Sequence, residues 1–296
     1  MTVPVGGGVL PVDKPEGPTS HDIVERARRA LRERRVGHTG TLDPFASGLL
    51  LLCVGSATRL SQYLTGQDKE YVARARLGVS TDTLDREGKV VAESGGWRDL
   101  SPQALETALG QLRGEILQVP PRFSAKKVGG VAAHRRVRRG EVVELPAVPV
   151  TVHELVLTEV RLPEVELRLV CSSGTYVRAL ARDLGESLGV GAHLTALRRT
   201  RVGGFRVEDA VPGDFAAPVP DAAWISPLDA LGDLPRMEVD AAGALRLGQG
   251  QRLPVGNGAE GLTAVHHRGR LLAVCRCSEG VLHPEKVFPP ESEPSE

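Results

Sequence analysis

Hydrophobic and polar positions follow a strand-like period in several places along the chain. Residues 49–54 are continuously apolar and predict a buried strand. Residues 9–13 predict a short strand, and residues 71–77 and 165–169 alternate between apolar and polar side chains, as half-buried strands do. Residues 80–83 are polar and predict a turn. Strands are therefore expected from the beginning of the chain to beyond its middle.

Apolar residues spaced three and four positions apart predict three helices. The first begins after Thr19, which has the spacing of a capping box with Asp22. The second begins at Ser101 and is expected to end at Gly114, and the third follows a turn at Gly174. The predicted inward-facing positions are Ile23, Ala27, Ala30 and Leu31, then Leu105, Leu109 and Leu112, then Val177, Leu180, Ala181, Leu184 and Leu188.

Strands and helices do not alternate strictly, so the pattern favours an α+β fold with a mixed sheet over a doubly wound parallel sheet. Residues 211–235 are rich in proline, alanine and aspartate, as linkers are. After them, residues 262–265 and 271–275 flank a polar turn and predict a hairpin. We expect a large domain over 1–230, a small all-β domain over 236–290 and a disordered tail over 291–296.

The composition does not change the predicted fold, but the distribution of charge along the chain indicates a class of binding partner. The 296 residues are 41% hydrophobic and only 3% aromatic, so leucine, valine and alanine must fill the core. The formal net charge is zero, yet seven Lys and Arg residues and no acid occupy positions 122–139, and a second basic cluster runs from 26 to 35. Two such stripes are typical of a surface that binds a polyanion and also of a charged face exposed to solvent, and both interpretations stay open.

The chain has no signal peptide and no apolar run of membrane length, so we expect a cytoplasmic protein with reduced cysteines and no membrane association. Cys53 and Cys171 lie in apolar, strand-like runs and are expected to be buried thiols. Cys275 and Cys277 are expected on opposite faces of a strand, at a spacing that suits neither a zinc site nor a redox pair.

One carboxylate is distinguished by its surroundings. Asp43 lies between a glycine-containing loop and a proline, shortly before the buried apolar run. An aspartate beside a proline is most often a turn residue, but a loop held by a buried strand is also how a scaffold presents a reactive group. The second interpretation is favoured by Tyr71, Tyr176 and Arg178, because tyrosines offer stacking platforms for a base and an arginine pairs with a carboxylate.

A series of segments, taken in order, resembles the TruB-type tRNA pseudouridine synthases. The segments are 12–15 with 19–20, 37–50, 69–71, 78–83, 120–127, 171–178 and 191–199. The resemblance covers roughly residues 8–206, and the C-terminal domain resembles the RNA-binding PUA domain more weakly. It implies the pseudouridine synthase fold, in which a mixed, largely antiparallel sheet is flanked by helices, followed by a small C-terminal β-rich PUA-like domain.

The resemblance also implies an isomerase that converts uridine 55 in the T-arm loop of tRNA to pseudouridine without a cofactor or a metal. Asp43 matches the catalytic aspartate and Arg178 the arginine that pairs with it. Tyr71 matches the tyrosine that stacks on the target base, for which proton transfer is an open role. The other matching substrate-binding positions are Tyr176, His38, Leu197 and Lys14. Attack of the aspartate on the sugar, attack on the base and removal of a sugar proton are all open roles. We expect a monomer that binds the T-arm stem-loop and needs no obligate protein partner.

The basic stripe is expected to hold RNA phosphates, which would make the affinity salt-dependent. The residues expected to contact the RNA backbone are Arg122, Lys126, Lys127, Arg135 and Arg136. The segment 128–136 departs from the family because it lacks the tyrosines that are usual there. Charge is therefore expected to replace stacking in this segment.

Two other classes of function are possible on the same residues. A non-catalytic RNA-binding protein would alter tRNA structure without forming pseudouridine, although binding alone does not need a buried carboxylate near an RNA. A metal-dependent phosphohydrolase could use the adjacent His21 and Asp22, but the first turn of a helix is the simpler place for Asp22.

Overall fold

The computed structural model describes residues 3–123, 145–256 and 260–288, and the backbone of two short strands at 127–128 and 131–132. The described helices are Ser20–Leu31 (α1), Ser61–Thr65 (α2), Pro102–Gly110 (α3), Val177–Ser187 (α4) and Ala241–Gly248 (α5). The described strands are Gly8–Lys14 (β1), Val36–His38 (β2), Ser47–Val54 (β3), Lys69–Leu77 (β4), Val79–Thr81 (β5), Val90–Glu93 (β6), Gly114–Gln118 (β7), Lys127–Val128 (β8), Val131–Ala132 (β9), Val148–Arg161 (β10), Glu164–Cys171 (β11), Ala192–Val202 (β12), Phe205–Arg206 (β13), Val211–Pro212 (β14), Arg236–Glu238 (β15), Leu253–Pro254 (β16), Gly261–His267 (β17), Arg270–Ser278 (β18) and Val281–Val287 (β19). The described residues within 43–49 and 66–203 form one compact unit, called the second unit, and the other described residues form the first.

The first unit contains a small sheet covered by α1. Its strands lie in the order β14-β1-β3, and β2 pairs with β3. The helix begins after Thr19, and the side chains of Thr19 and Asp22 form a reciprocal capping box, as predicted. Asp22 therefore serves the helix start. The apolar face of the helix packs on the sheet, and the shared core is Leu10, Val12, Ile23, Val24, Ala27, Leu31, Val36, Leu50, Leu52, Val54 and Phe215.

A second sheet of the first unit is built from C-terminal residues. Its strands lie in the order β15-β17-β18-β19-β16, and the hairpin β17–β18 confirms the one predicted from the sequence. The prediction that this region is all β is wrong, because α5 lies within it and is capped by the side chain of Asp240. The prediction for Cys275 and Cys277 is also wrong. Both thiols lie in the same core, since residues two apart on a strand share a face.

The second unit contains the larger sheet. Its strands lie in the order β3-β12-β4-β11-β10-β7, and residues 47–49 are the part of β3 that belongs to this unit. The pair β3–β12 is parallel, and the other neighbouring pairs in this order are antiparallel. The sheet is therefore mixed and largely antiparallel, as predicted. Burial alternates along β4, which places Lys69, Tyr71 and Ala73 on the inner face.

Two local predictions in the second unit need correction. Helix α3 is capped by Ser101 as expected but ends at Gly110 instead of Gly114, because Gly114 has a φ of +82° and begins β7. The predicted polar turn at 80–83 is correct for its last two residues, which form a turn. Its first two residues belong to β5, which pairs with β6.

Cys53 and Cys171 are buried thiols, as predicted. Burial raises the pKa of Cys53 to about 12 and the pKa of Cys171 to about 11, so both stay protonated at neutral pH. Among the helices of the described ranges, none combines the length and the apolar character needed to cross a membrane.

The close approach of β3 to β12 depends on Gly48. Its φ is +102°, and a Cβ at this position would lie 2.2 Å from the carbonyl oxygen of Arg199. We expect Gly48→Ala to lower the free energy of unfolding by about 2 to 4 kcal/mol. A side chain here would be strained by the positive φ and would clash with the neighbouring strand. Urea denaturation measures the change.

Gly37→Ala is the matched control. A Cβ at Gly37 would meet no atom within 4 Å, and its φ lies outside the left-handed region. We expect this change to alter the free energy of unfolding by less than about 1 kcal/mol. Equal losses in the two variants would contradict the packing role of Gly48.

Candidate active site

Arg178 lies in the first turn of α4, and three segments of the second unit bind its guanidinium. The side chain is only 5% exposed. Its Nε lies 2.9 Å from Oδ2 of Asp43, and its Nη2 donates to Oδ1 of the same carboxylate at 3.2 Å. Nη2 also donates to the carbonyl of Phe123 at 2.9 Å, and Nη1 donates to the carbonyl of Thr83 at 2.8 Å. The two contacts with Asp43 form a bidentate pair, the strongest arrangement of these two groups.

Asp43 is more open than its partner. Its side chain is 34% exposed, while the loop that carries it is fixed by the buried residues Phe45 and Ala46. The backbone N–H of Ala46 donates to the carbonyl of Asp43 at 3.1 Å and closes the turn. The carboxylate thus has a fixed cation on one side and access to a ligand on another. A carboxylate held in this way is able to act as a nucleophile or as a base.

Asp85 is a second carboxylate at Arg178, and the sequence analysis did not identify it. Its Oδ2 lies 3.4 Å from Nη1 of Arg178, and its side chain is 6% exposed. Its Oδ1 accepts hydrogen bonds from the hydroxyl of Thr83 at 2.6 Å and from the N–H of Glu87 at 3.1 Å. A buried guanidinium needs compensating charge, and Asp85 supplies it from a position closed to solvent. It lies two residues beyond the family-like segment 78–83, so only the spatial contact reveals it.

Tyr71 lies on the inner face of β4 and is 7% exposed. Burial raises the pKa of Tyr71, and the negative charge of Asp43 acts in the same direction, whereas Arg199 opposes both. Tyr71 lies directly opposite Arg199 of β12, and hydrogen bonding with Arg199 is one of the effects that lower the pKa of the phenol. Arg199 was not selected as a site residue from the sequence. Leu197 lies two positions before Arg199 on β12, opposite Ala73, and is buried. The structure therefore brings a protonated phenol and an apolar side chain onto one face of the sheet.

Tyr176 is half-buried at the start of α4, two residues before Arg178. Its backbone N–H donates to Oε1 of Gln118 at 2.8 Å, and its carbonyl accepts from Nε2 of Gln118 at 3.2 Å. Gln118 is completely buried at the end of β7. This amide, which the sequence analysis also missed, fixes the helix start from which Arg178 projects.

Lys14 and His38 belong to the first unit. Nζ of Lys14 is buried and donates to the carbonyls of Pro15 at 2.9 Å and Pro18 at 2.8 Å, which fixes the chain before α1. Nδ1 of His38 accepts a hydrogen bond from the N–H of Gly40 at 3.3 Å. The roles of Lys14 and His38 toward a substrate stay predictions.

The predicted RNA-backbone contacts fall largely beyond the part of the chain that the structure describes. Arg122 is described and exposed. Lys127 begins β8, for which the backbone alone is described. Lys126, Arg135 and Arg136 lie outside the described residues.

Comparison with known proteins identifies the family. Residues 28–177 match the model of the TruB family pseudouridylate synthase N-terminal domain, and residues 178–214 match that of the tRNA pseudouridylate synthase B C-terminal domain. The tRNA pseudouridine synthase B of Burkholderia lata is 47% identical over 290 residues, which cover 95% of this chain and 89% of that protein. The protein of the same name from Aromatoleum aromaticum is 45% identical over 285 residues, with 95% and 92% covered. The chain belongs to the TruB family of pseudouridylate synthases, which confirms the resemblance seen in the sequence.

Solved structures support the same fold. A chain in the structure of an H/ACA ribonucleoprotein bound to a substrate RNA containing 2'-deoxyuridine superposes with a TM-score of 0.73 at 25% identity. The match covers 97% of this chain and 86% of that one. A chain from an archaeal box H/ACA complex gives a TM-score of 0.72 at 25% identity, with 97% and 87% covered. These likenesses confirm the predicted α+β pseudouridine synthase fold.

Lys69 should make the stability of the second unit depend on pH. Burial, followed by the charge of Arg199, lowers the pKa of Lys69 from its usual 10.5 to about 8. Between these two values the unfolded chain binds more protons than the folded one, so stability rises with pH in this window. We expect the free energy of unfolding of the wild type, minus that of Lys69→Met, to increase from about pH 8 to about pH 10. Urea denaturation at a series of pH values measures this difference.

Lys89→Met serves as the control, because Lys89 is exposed. We expect the corresponding difference for this variant to stay constant over the same range. A constant difference for Lys69→Met would show that the Lys69 ammonium is not destabilised by its surroundings.

Proposed function

We propose that this protein isomerises uridine to pseudouridine at position 55 in the T-arm loop of tRNA, with Asp43 as the catalytic carboxylate and without a cofactor or a metal. The observation that carries the proposal is the unequal placement of two carboxylates around Arg178. Asp85 is closed to solvent, whereas the side chain of Asp43 is 34% exposed. Of these two carboxylates, Asp43 is therefore the one that a nucleotide can reach.

The residue types fit the bonds that must change. The bond from the ribose C1′ to N1 of uracil breaks, the base rotates, and a bond forms from C1′ to C5. N1 gains a proton and C5 loses one, so the overall composition is unchanged and no oxidant or reductant is needed. Asp43 would act on the nucleotide as a nucleophile or a base. Arg178 compensates its charge while the bound substrate excludes water.

The target base must leave its stack before any of these steps, because it is inaccessible inside a folded loop. Tyr71 offers a ring on which a flipped base can stack, and Leu197 extends the apolar surface beside it. Stacking tolerates any base, so the choice of uridine must come from hydrogen bonds in the pocket. Tyr176 is proposed to contact the same nucleotide.

The proposed partner is the T-arm stem-loop of tRNA, in line with the name of the relatives. The basic stripe 122–139 would bind its phosphates, and the β-rich C-terminal region over 236–290 would act as a PUA-like RNA-binding domain attached to a catalytic domain over 1–230. We propose that the protein works in the cytoplasm as a monomer without an obligate protein partner.

Asp43→Asn tests the catalytic assignment. The change keeps the shape of the side chain but removes the charge and the nucleophile. We expect pseudouridine formation in an unmodified tRNA transcript to slow by at least about 100-fold, the lower end of what a positioned acid–base group contributes, while the Kd for tRNA stays within about threefold. Pseudouridine mapping at position 55 and filter binding give the two measurements.

Asp99→Asn is the control, since Asp99 is an exposed aspartate of the same unit, and full activity is expected. Wild-type turnover by Asp43→Asn would rule out Asp43 as the catalytic carboxylate. A wild-type protein that alters tRNA structure but forms no pseudouridine would instead support a non-catalytic RNA-binding protein.

The combined change Arg135→Ala and Arg136→Ala tests the RNA contacts. Each lost phosphate contact removes about 0.7 to 0.9 from the slope of log K against log salt concentration, so we expect the slope to fall by about 1.5 and the affinity to weaken. Lys89→Ala with Arg161→Ala removes the same charge from exposed positions, and its slope is expected to match the wild type. An unchanged slope for the first pair would contradict phosphate binding by these arginines.

A further inference from the structure

Arg199 lies on β12 of the second unit, the strand that pairs with both β3 and β4. On β12 it lies opposite Gly48 of the parallel strand β3 and opposite Tyr71 of the antiparallel strand β4. A β-bulge follows directly, between Arg199 and Arg201 in the pairing with β4. Bulges aim side chains locally and are frequent next to active sites. The side chain of Arg199 is only 2% exposed.

The guanidinium of Arg199 connects the strand behind the Asp43 loop with the phenol. Its Nε donates to the carbonyl of Leu49 at 2.7 Å, and Leu49 lies six residues after Asp43. Tyr71 lies directly opposite Arg199 on the neighbouring strand and is likewise buried, and hydrogen bonding with Arg199 is one of the effects that lower the pKa of its phenol. One side chain thus fixes the phenol relative to the strand that carries the catalytic loop.

Burying the Arg199 guanidinium costs free energy, because another positive charge lies nearby. Lys69 is buried on the same face of β4, and the charge of Arg199 helps to lower its pKa to about 8. Replacing buried charged groups by apolar ones of similar volume is often neutral or stabilising. Packing alone therefore does not account for an arginine here, and its hydrogen bonds are the property that an apolar side chain would lack.

The direction of the hydrogen bond follows from chemistry. An arginine side chain has five N–H donors and no acceptor. The oxygen of Tyr71 must therefore accept from Arg199, and the proton of its own hydroxyl must point to a different group. The hydrogen bond with Arg199 therefore sets the direction in which the hydroxyl proton of Tyr71 points.

We propose that Arg199 is a positioning residue for the isomerisation, which fixes the Tyr71 phenol and leaves the hydroxyl proton directed at the bound nucleotide. This role rests on the proposed function of the same site. It predicts that most of the effect of Arg199 on the reaction rate depends on the presence of the Tyr71 hydroxyl.

A double-mutant cycle of Arg199→Met with Tyr71→Phe tests this role. In single turnover with tRNA transcript, we expect Arg199→Met to slow pseudouridine formation by at least about tenfold in the wild-type background and by less than about threefold in Tyr71→Phe, because the hydroxyl that it positions is then absent. The Kd for tRNA should stay within about threefold, and Arg199→Lys, which restores a donor, should recover part of the rate. Equal fold losses in the two backgrounds would overturn the assignment and indicate a structural role.

A measurement without RNA separates this role from the function itself. In protein labelled with 13C-tyrosine, Tyr71→Phe identifies the Tyr71 signal, and Arg199→Met should raise the pKa of Tyr71 further because the opposing cation is lost. An unchanged titration would overturn the hydrogen bond. If Arg199→Met does not unfold cooperatively, Arg199→Leu, which also lacks a donor, takes its place with the same two outcomes. A wild-type enzyme that forms no pseudouridine would overturn the proposed function, and the titration would still decide the contact.

Discussion

The pairing of buried Arg178 with Asp43 is the interaction on which the rest of the candidate site depends. Removing one partner of a buried ion pair typically costs about 3 to 5 kcal/mol, because the remaining charge stays uncompensated. Acceptors therefore have to be held around this guanidinium, and they come from the Asp43 loop, from the turn at 83–85 and from Phe123. Segments that are far apart in sequence are thus fixed to one side chain in the first turn of α4.

The charge balance around Arg178 explains why its partner can be reactive. If a single carboxylate compensated the guanidinium, any displacement of that carboxylate by a substrate would leave a buried charge unpaired. Asp85 provides a second negative charge and is itself fixed by the hydroxyl of Thr83 and the N–H of Glu87. Asp43 can therefore change its contacts during a reaction while Arg178 keeps a counter-charge. Asp85 is thus the buried carboxylate that supports Arg178, and Asp43 is the one that is accessible to solvent.

The family could be recognised from the sequence because its motifs are runs of contiguous residues. Asp43, Tyr71 and Arg178 lie in continuous family-like segments, and the main strands and helices followed from hydrophobic period. Asp85 and Gln118 were missed because their importance comes from contacts across 93 and 58 positions, with Arg178 and Tyr176 respectively. Arg199 lies in the family-like segment 191–199 but was not selected, because its side-chain contact with Leu49 spans 150 positions. Predictions of where elements end failed for local reasons. An example is Gly114, which has a positive φ and begins a strand instead of ending a helix. Helix α5 was missed because a short capped segment lies between strands.

The Asp43 loop is held in place from two directions, and both contacts are made by an arginine. On one side, the side chain of Arg178 binds the carboxylate itself. On the other, the backbone of Arg199 pairs with Gly48, and its side chain binds the carbonyl of Leu49. The parallel pairing of β3 with β12 in this unit involves only residues 47 and 48, so a short ladder alone would fix the loop weakly. Gly48 permits the close approach, and Arg199 adds a side-chain contact to it. The Asp43 carboxylate is therefore positioned both by α4, through Arg178, and by the sheet, through Gly48 and Arg199. Support from two directions is what a site needs if it must hold a rotating base without moving its own groups.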